Sequence, residues 1–253
     1  MLAAATAYGQ FGRGRQRIPE AALATSDSFD GAWHFCRLAY SGGGWTTDYP
    51  DADFNFSTRF SELTKTAVGR SAGGEVRPLI VRPTDPALFQ CPFVMLWQAE
   101  SFWVSDEDAA QLRAYLLKGG FIWADDSWGA FALQNFEQEM RKVLPDPQYR
   151  FVDLPPTHPM YRTHFDLPKV PQIPAINYWL RSGGDTSERG ADSAEVHVRG
   201  IADEHGRLMV LSTHNTDIAD GWEREGVDPR YFRQFSVDSY AVGINVLLYT
   251  MAH

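Results

Sequence analysis

Apolar runs of strand length recur along the chain and are separated by segments whose apolar residues follow helical spacing. The runs are rich in strand-forming residues and end at glycine, proline or other turn-forming residues. Seven segments are predicted to be strands: residues 33–40, 76–81, 92–98, 121–124, 149–154, 195–201 and 207–213. Pro78 favours an edge position for the second strand. The turn-rich sequence ADEHG between the last two strands predicts a β-hairpin.

Amphipathic periodicity predicts helices between several of these strands. The predicted helices cover residues 55–68, 105–118, 133–144 and 237–251. Ser105 and Asp108 have the spacing of an approximate capping box at the start of the second helix, and Gly119 and Gly120 end it. Because a buried strand lies on each side of this helix, the segment is predicted to be a parallel βαβ unit.

The alternation of strands and helices predicts a three-layer α/β fold, with a mostly parallel sheet and helices on both faces. A single domain is expected over residues 31–253, with a proline-rich, irregular excursion at about 155–192 that is either functional or mobile. Residues 1–30 lack periodicity and are predicted to be a flexible lead-in. The stretch Ala5-Thr6-Ala7 resembles a signal-peptidase site, so the lead-in is either the remnant of a signal peptide or an ordinary terminus.

Charge and composition exclude several classes of partner. The 253 residues carry a formal net charge of -9 and are 44% hydrophobic, which is ample for a packed core. Nucleic acid and anionic membrane surfaces are not expected partners, because both select basic proteins. No run approaches the roughly 20 apolar residues of a membrane span, so no integral membrane segment is expected. Cys36 and Cys91 are too few for a disulfide framework or a zinc cluster and are expected to be small buried side chains.

Polar side chains follow several of the predicted strands directly. If those strands are parallel, these side chains converge at the carboxyl edge of the sheet, where α/β folds bind ligands. The candidate cleft residues are Asp48, Tyr49, Asp53, Glu100, Asp125, Asp126, Ser127, Trp128, His214, Asn215, Asp217, Trp222 and Glu223. The adjacent pair Asp125 and Asp126 is the most unusual feature, since burying neighbouring carboxylates without partners is costly.

Some of these residues also have simpler interpretations. Asp53 could cap the first helix, and Asp126 or Ser127 could cap a helix that begins near Gly129. Ser127 is a weak candidate nucleophile, because Asp125 occupies the first glycine position of the G-x-S-x-G elbow.

A divalent metal site is the sharper hypothesis for the paired aspartates. Carboxylates from several strand ends together with an imidazole suit a hard or borderline divalent ion. The possible ligands are Asp125, Asp126, His214 and Asp217. No HExxH, CxxC or EF-hand spacing accompanies them, and no other cofactor is expected.

Four strings resemble the domain of unknown function 4159 family: TDYPDADFNFSTRFSELT, LRAYLLKGGFIWADDSWG, LPPTHPMYRTHFDL and HNTDIADGWEREGVDPRYFRQFS. The resemblance runs from about residue 33 to residue 253. It implies the class I glutamine amidotransferase-like superfamily, which has a flavodoxin-like α/β sandwich fold. Members of the family are often exported, or fused to membrane-anchored von Willebrand factor A-type modules. The resemblance also places ADDSWG near the amidotransferase nucleophile elbow, where this chain has no cysteine, so glutamine hydrolysis through a thiolate is not expected.

Two functions from different classes follow. The first is an exported (periplasmic or cell-envelope) binding or assembly module without catalysis, which recognises a protein partner or polar ligand at a carboxylate- and tryptophan-rich cleft. Four tryptophans flank the cleft loops and suit such recognition if exposed, or else simply cover the core: Trp45, Trp103, Trp128 and Trp222. The second is a metal-assisted hydrolase that uses the same cleft. A cytoplasmic location is the alternative to export, and the sequence leaves the oligomeric state open.

Overall fold

A seven-stranded sheet runs through the centre of the computed structural model, which describes residues 23–252. In chain order the strands are β1 (Cys36–Leu38), β2 (Leu79–Val81), β3 (Val94–Trp97), β4 (Ile122–Asp125), β5 (Val152–Asp153), β6 (His197–Ala202) and β7 (Leu208–His214). All seven predicted strands are confirmed, although most are shorter than the predicted segments. The hairpin of β6 and β7 is also confirmed.

The order of strands across the sheet is β2-β1-β3-β4-β7-β6-β5. Five strands are parallel to one another: β2, β1, β3, β4 and β7. In contrast, β6 pairs antiparallel with both β7 and β5. The order of these five is consistent with the 2-1-3-4-5 arrangement of flavodoxin-like folds, with β7 in the fifth position. The predicted α/β class with a mostly parallel sheet is therefore confirmed, and β2 lies at the edge as Pro78 indicated.

Helices cover both faces of the sheet. They are α1 (Asp51–Thr64), α2 (Asp106–Leu117), α3 (Ala130–Val143), α4 (Ile176–Ser182), α5 (Asp220–Glu223), α6 (Pro229–Tyr231) and α7 (Val237–Ala252). Met95 and Trp97 of β3 join the core under α1 and α7, whereas Val94 and Leu96 join the core under α2 and α3. Both faces of β3 are thus apolar, as in buried parallel sheets. Between residues 23 and 252, no helix has the length and apolar composition needed to cross a bilayer.

Two helix starts show where local sequence signals succeed and fail. The capping box of α2 is present: Ser105 Oγ accepts from Asp108 N at 3.1 Å, and Asp108 Oδ2 accepts from Ser105 N at 3.2 Å. In contrast, α1 begins at Asp51 rather than at residue 55. Its large apolar side chains on the buried face start only at Phe56, preceded by the small Ala52, whereas Asp51 and Asp53 lie in the first turn, where the helix dipole favours carboxylates.

The proline-rich excursion packs against the core instead of projecting from it. Ile173, Ile176 and Trp179 are buried in the same apolar cluster as α1 and α7. The amide of Ile176 also donates to Asp220 Oδ2 at 2.8 Å. The excursion therefore covers the region where α5 begins and is held there by both apolar and polar contacts.

Part of the predicted lead-in lies on the sheet. Leu23 forms a parallel bridge with Ile80 of β2, and Ala24 N donates to Ile80 O at 2.9 Å. Leu23 and Ala24 thus pair with the sheet, although they lie within the segment predicted to be a flexible lead-in. The signal-peptide interpretation concerns Ala5-Thr6-Ala7, which lie outside the described residues.

The two cysteines are buried as expected, but the disulfide between them was not predicted. Cys36 and Cys91 form a disulfide with a Cα–Cα distance of 6.1 Å, and both are buried. They are 55 residues apart in the chain, so no local pattern relates them. They meet because Cys36 lies in β1 and Cys91 precedes β3, the strand beside it.

The disulfide should contribute substantially to stability. Closing a loop of this length restricts the unfolded chain, so Cys36→Ala/Cys91→Ala should lower the free energy of unfolding by about 2–4 kcal/mol. Urea denaturation of the variant, of the native protein and of the native protein with reductant would measure this loss. Two titratable thiols in denatured protein that has not been reduced would contradict the assignment.

Candidate functional site

The carboxyl ends of β1, β3, β4 and β7 meet at one edge of the sheet, because these strands are parallel. Five non-glycine residues between residues 23 and 252 have a positive φ, and four of them follow these strands: Asp48, Gln98, Asp126 and Asn215. Such conformations are uncommon for non-glycine residues and concentrate at functional sites. The predicted site edge is therefore also the edge with the most constrained backbone.

Arg37 carries a buried positive charge into this edge from the middle of β1. Its guanidinium donates to both Asp53 oxygens, from Nε at 2.9 Å and from Nη2 at 2.5 Å. Nη1 donates to the carbonyls of Trp45 and Thr47 at 2.8 and 2.7 Å. The guanidinium also lies over the Trp97 ring, with Cζ 3.5 Å from the centroid. These contacts fix the loop between β1 and α1.

Two of the candidate cleft residues belong to this Arg37 centre. Asp53 is fully buried and does not cap α1. Burial raises the pKa of Asp53, and the Arg37 charge lowers it. The Tyr49 ring lies 5.3 Å from Arg37 Cζ. Asp48, in contrast, is only half-buried, and its Oδ2 accepts from Trp97 Nε1 at 3.2 Å.

Asp125 is a structural link at the end of β4. It is fully buried, and its Oδ1 accepts from Thr213 Oγ1 at 2.6 Å while its Oδ2 accepts from Ala219 N at 3.1 Å. Burial raises the pKa of Asp125 to about 7, against the effect of these hydrogen bonds. Both oxygens are thus engaged in joining β4 to β7 and to the segment before α5.

Asp126 occupies the sharp turn between β4 and α3, with a φ of 51°. It is 8% exposed, and its Oδ1 accepts from Trp128 Nε1 at 3.1 Å, so it does not cap α3. Burial raises the pKa of Asp126 well above its ordinary value. Repulsion raises it further and comes from the carboxyl groups of Glu100, Asp125 and Glu188.

Ser127 and His214 form a buried pair across β4 and β7, with Ser127 Oγ 2.8 Å from His214 Nδ1. They are 2% and 1% exposed, respectively. Burial lowers the pKa of His214 to about 4, and the His197 charge acts in the same direction, so the imidazole is neutral at pH 7. Asn215 Oδ1 accepts from Gly129 N at 2.8 Å, so Asn215 rather than Ser127 binds the backbone at the start of α3.

The segment after β7 brings two buried aspartates to the same edge. Asp217 Oδ1 accepts from Asp220 N at 2.8 Å, and Asp220 Oδ2 lies 2.8 Å from both Ile176 N and the Tyr231 hydroxyl. One oxygen from each of Asp48, Asp217 and Asp220 lies within 4.8 Å of the other two. Asp220 was absent from the sequence prediction, although its spacing of three residues from Asp217 is the spacing that places side chains on one face of a helical turn.

Three glutamates extend the acidic edge. Burial raises the pKa of Glu100, and among the described residues no hydrogen-bond partner reaches its buried Oε2. Burial raises the pKa of Glu223 to about 7, whereas the Arg224 charge lowers it. Glu188, from the excursion, accepts from Ala175 N at 2.7 Å. No sequence signal pointed to Glu188, because no periodicity relates the excursion to the strand ends.

The carboxyl groups at this edge repel one another, and we refer to them together as the acidic cluster. Its members are Asp48, Glu100, Asp125, Asp126, Glu188, Asp217, Asp220 and Glu223. Arg37 lies nearby, but Asp53 balances its charge. Arg181 and Arg189 act on the cluster from exposed positions, and Arg224 from a partly exposed one. Within residues 23–252, carboxyl groups therefore outnumber the cations that face them.

The grouping differs from the predicted set of metal ligands, which was Asp125, Asp126, His214 and Asp217. Among residues 23–252, the three-carboxylate group contains Asp217 but none of the other three. The oxygens of Asp125 accept hydrogen bonds from β7 and from the segment before α5. The Nδ1 atom of His214 is hydrogen-bonded to Ser127. The aspartate pair thus lies beside the group and does not form it.

The expectation of an open, tryptophan-rich cleft was wrong for three of the four tryptophans. Trp45, Trp128 and Trp222 are buried, and only Trp103 is exposed, at 52%. The Trp222 ring packs 4.4 Å from the Phe56 ring in the core. These three side chains cover the core, which was the alternative interpretation of the sequence.

Removing Arg37 should strongly destabilise the protein. Arg37→Met leaves Asp53 buried without its cation, which should lower the free energy of unfolding by about 3–5 kcal/mol. The double variant Arg37→Met/Asp53→Asn should recover part of this loss, because no unpaired charge then remains. Denaturant unfolding measures both variants, and a loss below about 1 kcal/mol for Arg37→Met would show that a surface-like pair had been mistaken for a buried one.

The acidic cluster should make the protein less stable as the pH rises. Because the folded state holds protons on carboxyl groups that the unfolded chain releases near pH 4, stability should fall between about pH 4 and pH 7. His214 acts in the opposite sense, since the unfolded chain takes up its proton near pH 6.5. Asp126→Asn removes one carboxyl group. It should therefore reduce the slope of the free energy of unfolding against pH by up to about 1.4 kcal/mol per pH unit.

Melting temperatures at fixed ionic strength from about pH 5 to pH 8 test this dependence. The matched control is Glu204→Gln, because the Glu204 side chain is 84% exposed. Identical slopes for native protein and Asp126→Asn would mean that Asp126 does not retain a proton in the folded state.

Comparison with known proteins gives the family. No curated protein matches the chain. The family model described as "Domain of unknown function (DUF4159)" matches residues 34–251, which is most of the chain. The resemblance found in the sequence is thereby confirmed at the family level, and the chain belongs to the DUF4159 family.

Proposed function

We propose that this chain is an exported binding module without catalytic activity, which takes a cationic ligand at the acidic cluster. The observation that carries the proposal is the excess of carboxyl groups over cations at the strand ends, as counted among residues 23–252. Like charges held together in a low-dielectric site repel, and a bound cation relieves that repulsion. The buried Glu100 Oε2, which has no hydrogen-bond partner in residues 23–252, is a second acceptor available to a ligand.

The absence of catalysis is inferred from the elbow between β4 and α3. Asp126 lies at the turn of this elbow. The adjacent Ser127 is 2% exposed, and its hydroxyl is hydrogen-bonded to His214. A nucleophile needs room for a substrate carbonyl, and this serine has none. The strand order and this elbow also support placing the family in the class I glutamine amidotransferase-like superfamily, with the thiolate chemistry absent.

Export is supported by the disulfide. Cys36 and Cys91 are linked, and disulfides persist in oxidising compartments such as the periplasm but are rare in the cytosol. The expected partner is therefore a polar, positively charged ligand or a protein that presents one outside the cytoplasm.

A metal-assisted hydrolase is the second candidate, favoured by the close approach of Asp48, Asp217 and Asp220. It places the ligand at the same edge but adds turnover, with a carboxylate acting as general base. Hydrolysis of ester, phosphoester or peptide substrates that depends on an added divalent ion and is lost in Asp217→Asn would favour this candidate over the binding module.

Thermal stabilisation by cations tests the proposed function. Native protein should be stabilised saturably by at least one of Ca²⁺, Mg²⁺, Mn²⁺, spermidine or a lysine-rich peptide, by about 2.7 kcal/mol at a hundredfold excess over Kd. Glu100→Gln/Asp126→Asn should reduce this stabilisation, and Glu204→Gln should leave it unchanged. Matched concentrations of NaCl control for screening. If no cation stabilises the native protein beyond the salt control, the proposal fails.

A further inference from the structure

Three carboxylates of the acidic cluster have the spacing of ligands to one ion. The ligand atoms of Asp48, Asp217 and Asp220 all lie within 4.8 Å of one another. Ca²⁺ binds oxygen at about 2.3–2.6 Å, so two oxygens on opposite sides of one ion stand about 5 Å apart. A single ion can therefore contact all three carboxylates without rearrangement of the backbone.

Each of these carboxylates is oriented through one oxygen. Trp97 Nε1 donates to Asp48 Oδ2 at 3.2 Å, and Asp220 N donates to Asp217 Oδ1 at 2.8 Å. The Ile176 amide donates to Asp220 Oδ2 at 2.8 Å. In each case the other oxygen accepts no hydrogen bond from residues 23–252. Partners of this kind orient ligating carboxylates in metal sites.

Asp217 gives an independent indication of a missing ligand. It is 3% exposed, and the amide of Asp220 is the only hydrogen-bond donor that reaches its carboxylate from the described part of the chain. Among the described residues, the charged groups that most affect its carboxylate are other carboxyl groups: Asp48, Asp125, Asp126 and Asp220. A buried carboxylate with such surroundings needs either a proton or a cation.

From these contacts we infer that Asp48, Asp217 and Asp220 bind one hard divalent cation of the Ca²⁺, Mg²⁺ or Mn²⁺ type. The inference rests on the proposed function and names the class of its ligand. An all-oxygen donor set selects these ions, whereas Zn²⁺ and Cu²⁺ prefer imidazole or thiolate ligands. Asp48 is the least buried of the three residues, whereas Asp217 and Asp220 are buried.

Terbium luminescence tests the site directly. Tb³⁺ is a hard, oxygen-preferring probe, and the indole of Trp97 is hydrogen-bonded to Asp48, so a bound Tb³⁺ ion should emit on tryptophan excitation. We expect saturable emission from native protein with one ion bound, and displacement by Ca²⁺, Mg²⁺ or Mn²⁺. Asp48→Asn, Asp217→Asn and Asp220→Asn should each weaken binding at least about tenfold, since even groups that only orient a ligand are worth about 10–100-fold.

Two control variants separate coordination from general electrostatics. Asp126→Asn removes a charge from the acidic cluster but none of the three ligands, so binding should weaken less than in the ligand variants. Glu204→Gln should bind as native protein does. Thermal melts establish that each variant is folded, which is expected because each Asp→Asn change removes a repelling charge.

The outcomes also distinguish this inference from the proposed function. If spermidine or a lysine-rich peptide stabilises the protein but Tb³⁺, Ca²⁺, Mg²⁺ and Mn²⁺ do not bind, the metal site is overturned and the binding module stands. If no cation of either kind binds, both fail. If a metal binds with equal affinity in native protein and the three ligand variants, its site lies elsewhere and the inference is overturned.

Discussion

The burial of Arg37 is the constraint on which the carboxyl edge of the sheet depends. A guanidinium without partners could not remain in the core. The loop after β1 therefore supplies two carbonyl oxygens, and the first turn of α1 supplies Asp53. Trp97 covers the guanidinium and also donates to Asp48. One buried charge thus determines where the loop lies and where Asp48 is held.

The charges of the acidic cluster, in contrast, are not balanced in this way. The charge of Arg37 has a matched partner, but in the described part of the chain the acidic cluster holds many carboxyl groups against few cations. Backbone amides compensate in part, since Ala219 N reaches Asp125 and Asp220 N reaches Asp217. The remaining repulsion must be relieved by protons or by a bound cation. A fold that keeps these groups together despite the repulsion suits a binding site better than a purely structural core.

The sequence predicted the architecture well because apolar periodicity is local information. All seven strands, the α2 capping box and the edge position of β2 follow from neighbouring residues. The candidate site was predicted only as a location, the strand ends, and not as a set of contacts. Asp220 and Glu188 reach it from segments without strand signals, and the Cys36–Cys91 bond joins residues that only the sheet order brings together. The exposure of the loop tryptophans was mispredicted for the same reason, because the composition of a loop does not determine which of its side chains are buried.

The central claim is that a cation completes the acidic cluster between β1 and the segment after β7. A crystal structure of the native protein grown with Mn²⁺, with anomalous data collected at the manganese edge, tests it most directly. The account predicts one anomalous peak between the carboxylates of Asp48, Asp217 and Asp220, at metal–oxygen distances of about 2.0–2.6 Å. Well-ordered carboxylates at this site without a peak between them, or a peak only elsewhere on the molecule, would contradict it.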